Sequence, residues 1–228
     1  MLLILVLGSC STNDSPKIPE DYIARYALNG NALDSGVDEF HGEIFRDVIP
    51  SADRDGNLDA AMHFGPNNSF ITVDDDETFD LLGEISISVW IKADSVKFSW
   101  GSIANKWDGR SFGLGYYLGI NEEGYKLRWR IRSAILETDF NIPLHRWVHI
   151  VALYDKTYLR LYVDGAEVGE LAFPDHIINT SVPFAIGNQS RFSTRSNFHG
   201  LIDDVIVYDR ALDYLEIRNI LRASSHID

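Results

Sequence analysis

The chain has 228 residues, 45% of them hydrophobic, which is enough apolar surface for a substantial core and excludes a disordered chain. Its 34 acidic and 20 basic residues give a formal net charge of −14, which repels phosphate backbones and argues against nucleic acid as a partner. The single cysteine excludes an internal disulfide framework, and the absence of a run of about 18 apolar residues predicts no transmembrane helix.

The first ten residues combine a short apolar run with the cysteine. Residues 2–7 are all apolar, and Gly, Ser and Cys10 follow. This Leu-Gly-Ser-Cys ending resembles the lipobox of bacterial lipoproteins, in which the cysteine is acylated and becomes the first residue of the mature protein. The resemblance implies a signal peptide over residues 1–10, a tether over residues 11–20 and a lipid anchor at the bacterial outer membrane or cell surface. The alternative is an N-terminal fragment with an incidental cysteine.

From residue 21 to residue 228 the sequence predicts one domain that begins with short β-strands. Strands are predicted at 22–28, 60–64, 69–73 and 85–91. The Gly-Pro-Asn-Asn segment between the second and third of these predicts that they form a strand pair around a turn. In the fourth, Ile85, Ile87, Val89 and Ile91 alternate with polar residues, which predicts one buried face.

The second half continues in strands and ends in a helix. Strands are predicted at 116–120, 125–131, 135–140, 147–154, 158–163, 167–171, 183–187 and 199–208. Asp164-Gly165 predicts a tight hairpin. Asp213, with Glu216 three residues on, predicts a capped C-terminal helix that packs through Leu215, Ile217, Ile220 and Leu221. A dozen short strands and one late helix predict an all-β antiparallel sandwich or barrel.

Several motifs in this order resemble a known family. They are residues 26–36, 87–93, 146–155, 159–165 and 198–212. Their order and spacing resemble the laminin-G-like group of the concanavalin A-like lectin/glucanase superfamily. The resemblance implies a jelly-roll of two curved antiparallel sheets.

Acidic residues give little indication of catalysis. Retaining glycoside hydrolysis needs two carboxyl groups about 5–5.5 Å apart. Glu137 and Asp139 have the required two-residue spacing but lack the third acid of the glucanase arrangement, and a solvated strand face explains them. Asp203 and Asp204 are neighbours, so a regular strand directs them to opposite faces. The seven histidines form no zinc pattern along the sequence. The sequence therefore predicts no catalytic residue.

The family resemblance also implies a structural calcium ion where the first turn meets the last strand. Asn31 and Asp34 in the turn and Asp203 in the strand are the predicted ligands. Calcium takes six to eight oxygen ligands, so backbone carbonyls would complete the set. Two alternatives stay open, because Asp and Asn are common in turns and a strand-borne acid can pair with an arginine.

Aromatic and basic residues outside the family-like motifs are candidates for ligand binding. They are Trp100, Trp107, Tyr117, Arg128, Arg130 and Arg191. Alternation places Arg128 and Arg130 on one strand face and Trp129 on the other, facing the core. The expected function is a non-catalytic module that binds carbohydrate on a bacterial envelope. The alternatives are an adhesion or assembly module with an envelope protein as partner and, more weakly, a glucanase.

Overall fold

The computed structural model describes residues 16–95, 101–109, 113–121, 125–188 and 196–223. Within these residues, fifteen β-strands form two antiparallel sheets and one α-helix follows the last strand. The predicted all-β, two-sheet sandwich with a C-terminal helix is therefore confirmed. No helix in the described ranges is long and apolar enough to cross a membrane.

One sheet has eight strands. They are β1 (Ala24–Tyr26), β3 (Val48–Ser51), β4 (Ala61–Phe64), β6 (Ile85–Ala93), β11 (Trp147–Tyr154), β12 (Tyr158–Val163), β13 (Ala166–Ala172) and β15 (Gly200–Tyr208). Their order is β13-β12-β11-β6-β15-β4-β3, and β1 also pairs with β15. The hairpin between β12 and β13 turns at Asp164 and Gly165, both at positive φ, as their residue types predicted.

The other sheet has seven strands. They are β2 (Glu43–Phe45), β5 (Phe70–Val73), β7 (Gly101–Trp107), β8 (Gly115–Ile120), β9 (Lys126–Ile131), β10 (Ala134–Asn141) and β14 (Phe184–Ile186). Their order is β10-β9-β8-β7-β14-β5-β2. The sequence did not predict β2, β3 or β7, which lie in stretches rich in Gly, Asn, Asp or charged residues.

The core fills the space between the sheets and confirms the predicted alternation. The inward residues of β6 are completely buried: Ile85, Ile87, Val89 and Ile91. Trp129 of β9 is also fully buried, and its Nε1 donates a hydrogen bond to the Leu153 carbonyl 3.0 Å away. That bond satisfies the indole's only donor, so the ring stabilises the core without an unpaired polar group.

The predicted pairing of residues 60–64 with 69–73 is wrong. Strand β4 pairs with β3 and β15 in the eight-stranded sheet, whereas β5 pairs with β2 and β14 in the other sheet. The Gly65–Asn68 turn therefore carries the chain across the sandwich. A local turn motif indicates that the chain changes direction but does not indicate which strand the next segment will pair with.

The C-terminal helix α1 (Tyr214–Arg222) covers part of the eight-stranded sheet's outer face. Asp213 and Glu216 form the predicted capping box. Ile217 and Ile220 pack against the sheet as predicted, but Leu215 is 70% exposed and does not. Ile18, within the predicted tether, is buried in the same cluster.

Candidate ligand-binding face

Four of the six predicted ligand-binding residues lie together on the outer face of the seven-stranded sheet. Trp107 ends β7, Tyr117 lies on β8, and Arg128 and Arg130 lie on β9, so three adjacent strands carry them. The alternation that directs Trp129 into the core directs both arginines outward. Trp100 and Arg191 lie outside the described residues.

Trp107 and Arg130 form a stacked pair on this face. The Arg130 guanidinium carbon lies 4.3 Å from the centre of the Trp107 ring, and its Nε donates to the Arg132 carbonyl at 2.9 Å. Trp107 is a strand residue rather than a loop residue, and it is only 4% exposed. Burial, and then the charge of Arg128, lower the pKa of Arg130. A polar or anionic group placed here would therefore stabilise the charged arginine.

Arg128 is held by a polar network beside this pair. Its Nε donates to Glu137 Oε1 at 2.7 Å, and Asn121 Nδ2 donates to Glu137 Oε2 at 3.2 Å. Farther along the same strands, Lys126 and Asp139 form an ion pair at 3.2 Å. The face therefore presents donors and acceptors in fixed positions, which is the arrangement that orients a ligand rich in hydroxyl groups.

The sequence did not single out Asn105, which lies on β7 opposite Tyr117. Its Nδ2 donates to Ser102 Oγ at 2.7 Å and to the Asn188 carbonyl at 2.9 Å. The Asn105 side chain is completely buried, yet its Oδ1 has no hydrogen-bond partner among the described residues. Its two-residue spacing from Trp107 was the available signal, because residues two apart in a strand share a face.

Tyr117 places its hydroxyl beneath this face. The hydroxyl is buried, and its interaction with the Ser102 side chain opposes the effect of burial on its pKa. Burial raises the pKa of Tyr117, so the hydroxyl stays neutral and able to donate. A Cβ at Gly119 would lie 2.4 Å from that hydroxyl oxygen, so only glycine leaves room for the ring. Buried polar atoms without partners, such as Asn105 Oδ1, are uncommon in folded proteins, and ordered water commonly completes their bonding.

The residues predicted to bind calcium make contacts that do not fit a calcium site. The Asp34 carboxylate accepts backbone N–H groups from Arg25, Gly36 and Phe40 at 2.7–3.1 Å. Asn31 Oδ1 accepts the Leu33 N–H at 2.9 Å within the turn. These oxygens therefore already have donors, whereas calcium requires six to eight oxygens directed at one ion.

Asp203 forms an ion pair with an arginine, which is the alternative that the sequence left open. Arg54 Nη1 lies 2.9 Å from Asp203 Oδ2, and Arg54 Nη2 lies 3.0 Å from Asp204 Oδ2. A guanidinium this close repels a cation, so calcium binding stays a prediction without support from these contacts. The expectation that the two acids point to opposite faces is wrong, because a bulge with Asp204 at φ 45° turns both toward Arg54.

The outer face of the eight-stranded sheet also holds a serine–histidine pair, but it is closed to substrate. Ser88 Oγ lies 2.8 Å from His149 Nε2, and each residue is 1% exposed. Burial, and then the charge of Arg54, lower the pKa of His149 to about 3. The histidine is therefore neutral, and its Nδ1 has no hydrogen-bond partner in the described part of the chain to orient it as a base.

The sheet topology and the polar outer face define a jelly-roll domain of the lectin-like kind. A laminin-G family model, described as the concanavalin A-like lectin/glucanases superfamily, matches residues 65–218. Since this match spans more than half of the 228 residues, the chain belongs to that family. The family includes both glycosidases and non-enzymatic binding domains. A search of curated protein sequences gives no significant match.

Solved structures share the fold at low sequence identity. Domain 4 of AbnA, an extracellular arabinanase from Geobacillus stearothermophilus solved with arabinotriose, is 20% identical with a TM-score of 0.68, over 88% of this chain and 98% of that one. The binding domain of botulinum neurotoxin DC, solved with rat synaptotagmin II, is 13% identical with a TM-score of 0.66, over 90% and 52%. Trypanosoma rangeli sialidase with sialic acid is 13% identical with a TM-score of 0.64, over 89% and 33%. The chain thus spans nearly all of the arabinanase domain, about half of the toxin domain and a third of the sialidase.

Proposed function

We propose that this chain is a non-catalytic carbohydrate-binding domain that uses the outer face of the seven-stranded sheet. The observation that carries the proposal is the row of part-exposed polar side chains on this face, in which Arg130 stacks on Trp107 and Arg128 is held by Glu137. Sugar hydroxyl groups both donate and accept hydrogen bonds, so they complement guanidinium donors and a carboxylate acceptor together. The arabinanase domain of the same fold supports this ligand class, because it was solved with a trisaccharide.

The stacked pair defines how a sugar would bind. Trp107 is covered on one side by the Arg130 guanidinium, so the ring does not offer a bare platform for a pyranose. Recognition then depends mainly on hydrogen bonds from Arg130 and Arg128 to ring and hydroxyl oxygens. An extended polysaccharide suits the face, because the polar residues follow adjacent strands rather than a closed pocket.

Two ion pairs favour binding over hydrolysis. Glu137 is held by Arg128, and Asp139 is paired with Lys126. A retaining glycosidase requires one carboxyl of its pair to donate a proton to the leaving group. A basic partner on each acid instead stabilises the deprotonated carboxylate. Release of reducing sugar from β-glucans that is abolished in Glu137→Gln would instead establish a glucanase.

The first test is a glycan array together with affinity electrophoresis in polysaccharide gels. Arabinotriose serves as the first soluble ligand for calorimetry. Arg130→Gln is expected to lower affinity at least about tenfold, roughly 1.4 kcal/mol, since it removes a charged donor from the face. Arg146→Gln is the matched control, because the Arg146 side chain is 66% exposed and the residue directly precedes β11 of the eight-stranded sheet. Blank arrays and gels with folded protein would refute the proposal.

A protein partner is the second candidate. The toxin binding domain with synaptotagmin supports it, since that fold neighbour was solved with a protein ligand. Capture of a protein from envelope extracts would favour an adhesion or assembly module if soluble glycans do not compete with that capture. Capture that soluble glycans abolish would favour the carbohydrate proposal.

We also propose that lipidation of Cys10 displays the domain at the bacterial envelope. Cys10 lies outside the described residues, so the lipobox-like sequence alone supports this proposal. Metabolic labelling with a fatty acid is expected to mark the protein and to move it into the detergent phase. Cys10→Ala should abolish both effects, and unchanged labelling would contradict the proposal.

A further inference from the structure

One end of the eight-stranded sheet brings together metal-ligating side chains that are far apart in the sequence. His63 lies on β4, Asp94 directly follows β6, and His199 directly precedes β15. Strand β15 lies between β4 and β6, so the three residues lie in or directly beside three adjacent strands. Their possible ligand atoms all lie within 4.8 Å of one another.

The cluster is held rigidly by its backbone and side-chain contacts. His63 Nε2 lies 2.8 Å from Asp94 Oδ2, and the rings of His63 and His199 meet edge-on with centres 5.8 Å apart. The Asp94 N–H donates to the His199 carbonyl at 3.0 Å. His145 Nδ1 lies 3.6 Å from the other Asp94 oxygen. The side chains of His63 and Asp94 are each about a quarter exposed, so an ion can reach them from solvent.

We infer that His63, Asp94 and His199 form a zinc-binding site. Two imidazoles and one carboxylate are a ligand set that suits Zn²⁺ and other late first-row cations, whereas calcium takes oxygen ligands. Tetrahedral zinc ligands at about 2.0–2.1 Å from the ion lie roughly 3.3 Å apart. Ligand atoms that already lie within 4.8 Å of one another reach this spacing by small side-chain rotations.

The charge of the chain agrees with this inference. The net charge of −14 attracts cations to the surface. A bound ion would tie β4, β15 and β6 together at one end of the sheet, and this role is independent of carbohydrate binding.

The test measures zinc affinity in the full-length chain, expressed without a histidine tag and carrying Cys10→Ala so that its thiol cannot bind zinc. The metal is removed with EDTA, and the chelator is then dialysed away. Titration with zinc sulfate by calorimetry is expected to show one equivalent and a raised unfolding temperature. His63→Gln and His199→Gln should each lower the zinc affinity at least about tenfold, since even residues that only hydrogen-bond to zinc ligands contribute that much.

His176→Gln is the matched control, because that histidine is 68% exposed and pairs only with Asp175 among the described contacts of its ring. It should change zinc affinity less than twofold. Circular dichroism checks that each variant is folded. Zinc affinity that is equal in the control and in both ligand variants would overturn the inference, as would the absence of binding by the folded parent.

Discussion

Replacing Arg54 by methionine tests whether this arginine neutralises the buried acids on the outer face of the eight-stranded sheet. Its guanidinium contacts Asp203 at 2.9 Å and Asp204 at 3.0 Å, and the three side chains are 10%, 1% and 6% exposed. Arg25 is the other basic contact of this pair, 3.7 Å from Asp204. Methionine keeps an apolar side chain over the Trp90 ring, which Arg54 covers at 4.5 Å, and removes the charge together with its hydrogen bonds to the two acids.

The expected loss approaches about 3–5 kcal/mol at pH values above 8, because removing one partner of a buried ion pair leaves an uncompensated charge. For a chain of this size that corresponds to a fall of roughly 10 °C in Tm. Burial raises the pKa of both Asp203 and Asp204, and Arg54 opposes that rise. With Arg54 in place the pKa of Asp203 is about 8, and without Arg54 the folded carboxyl groups retain their protons to still higher pH, whereas the unfolded chain titrates alike in both proteins. The loss should therefore shrink as the pH falls below about 8.

The measurement is urea unfolding followed by tryptophan fluorescence at pH 6, 8 and 9. Arg146→Met is the matched control, because it removes an exposed ion pair with Asp164 and should cost about 0–1 kcal/mol at each pH. Equal losses in Arg54→Met and Arg146→Met, or a loss at Arg54 that does not grow with pH, would refute the reasoning.

Three further predictions follow from single contacts. Tyr116→Phe, which loses its bond to the Phe79 carbonyl, should cost about 1–3 kcal/mol of stability in urea unfolding and leave ligand affinity unchanged, because this side chain faces the core; a fall in affinity at unchanged stability would contradict that placement. Millimolar calcium added to metal-free protein should leave Tm unchanged, because Asp34 and Asp203 already have donors, and a clear rise would restore the calcium prediction. Asp213→Ala should cost about 1 kcal/mol in thermal melting by removing the helix cap, and no change would show that the capping box is dispensable.

Local sequence signals predicted the orientation of several side chains on the proposed binding face. The spacing of Arg128, Trp129 and Arg130 predicted which side chain enters the core and which remain outside, and the structure confirms that alternation. The same signals missed Asn105, because its importance depends on strand β7 pairing with β8 and β14. The two-residue spacing from Trp107 indicated only a shared face, because the burial of the Asn105 amide is a property of packing.

The sequence by itself determined the properties that depend on neighbouring residues: the alternation of the strands, the Asp164-Gly165 hairpin and the capped helix. Only the tertiary structure decided which sheet each strand joins, and therefore which distant side chains meet. It separated β4 from β5, directed Asp203 and Asp204 to Arg54, and gathered His63, Asp94 and His199. The physical reason is that φ/ψ preferences and side-chain period act over a few residues. Strand pairing, in contrast, is selected by the burial and hydrogen bonding of the whole sandwich.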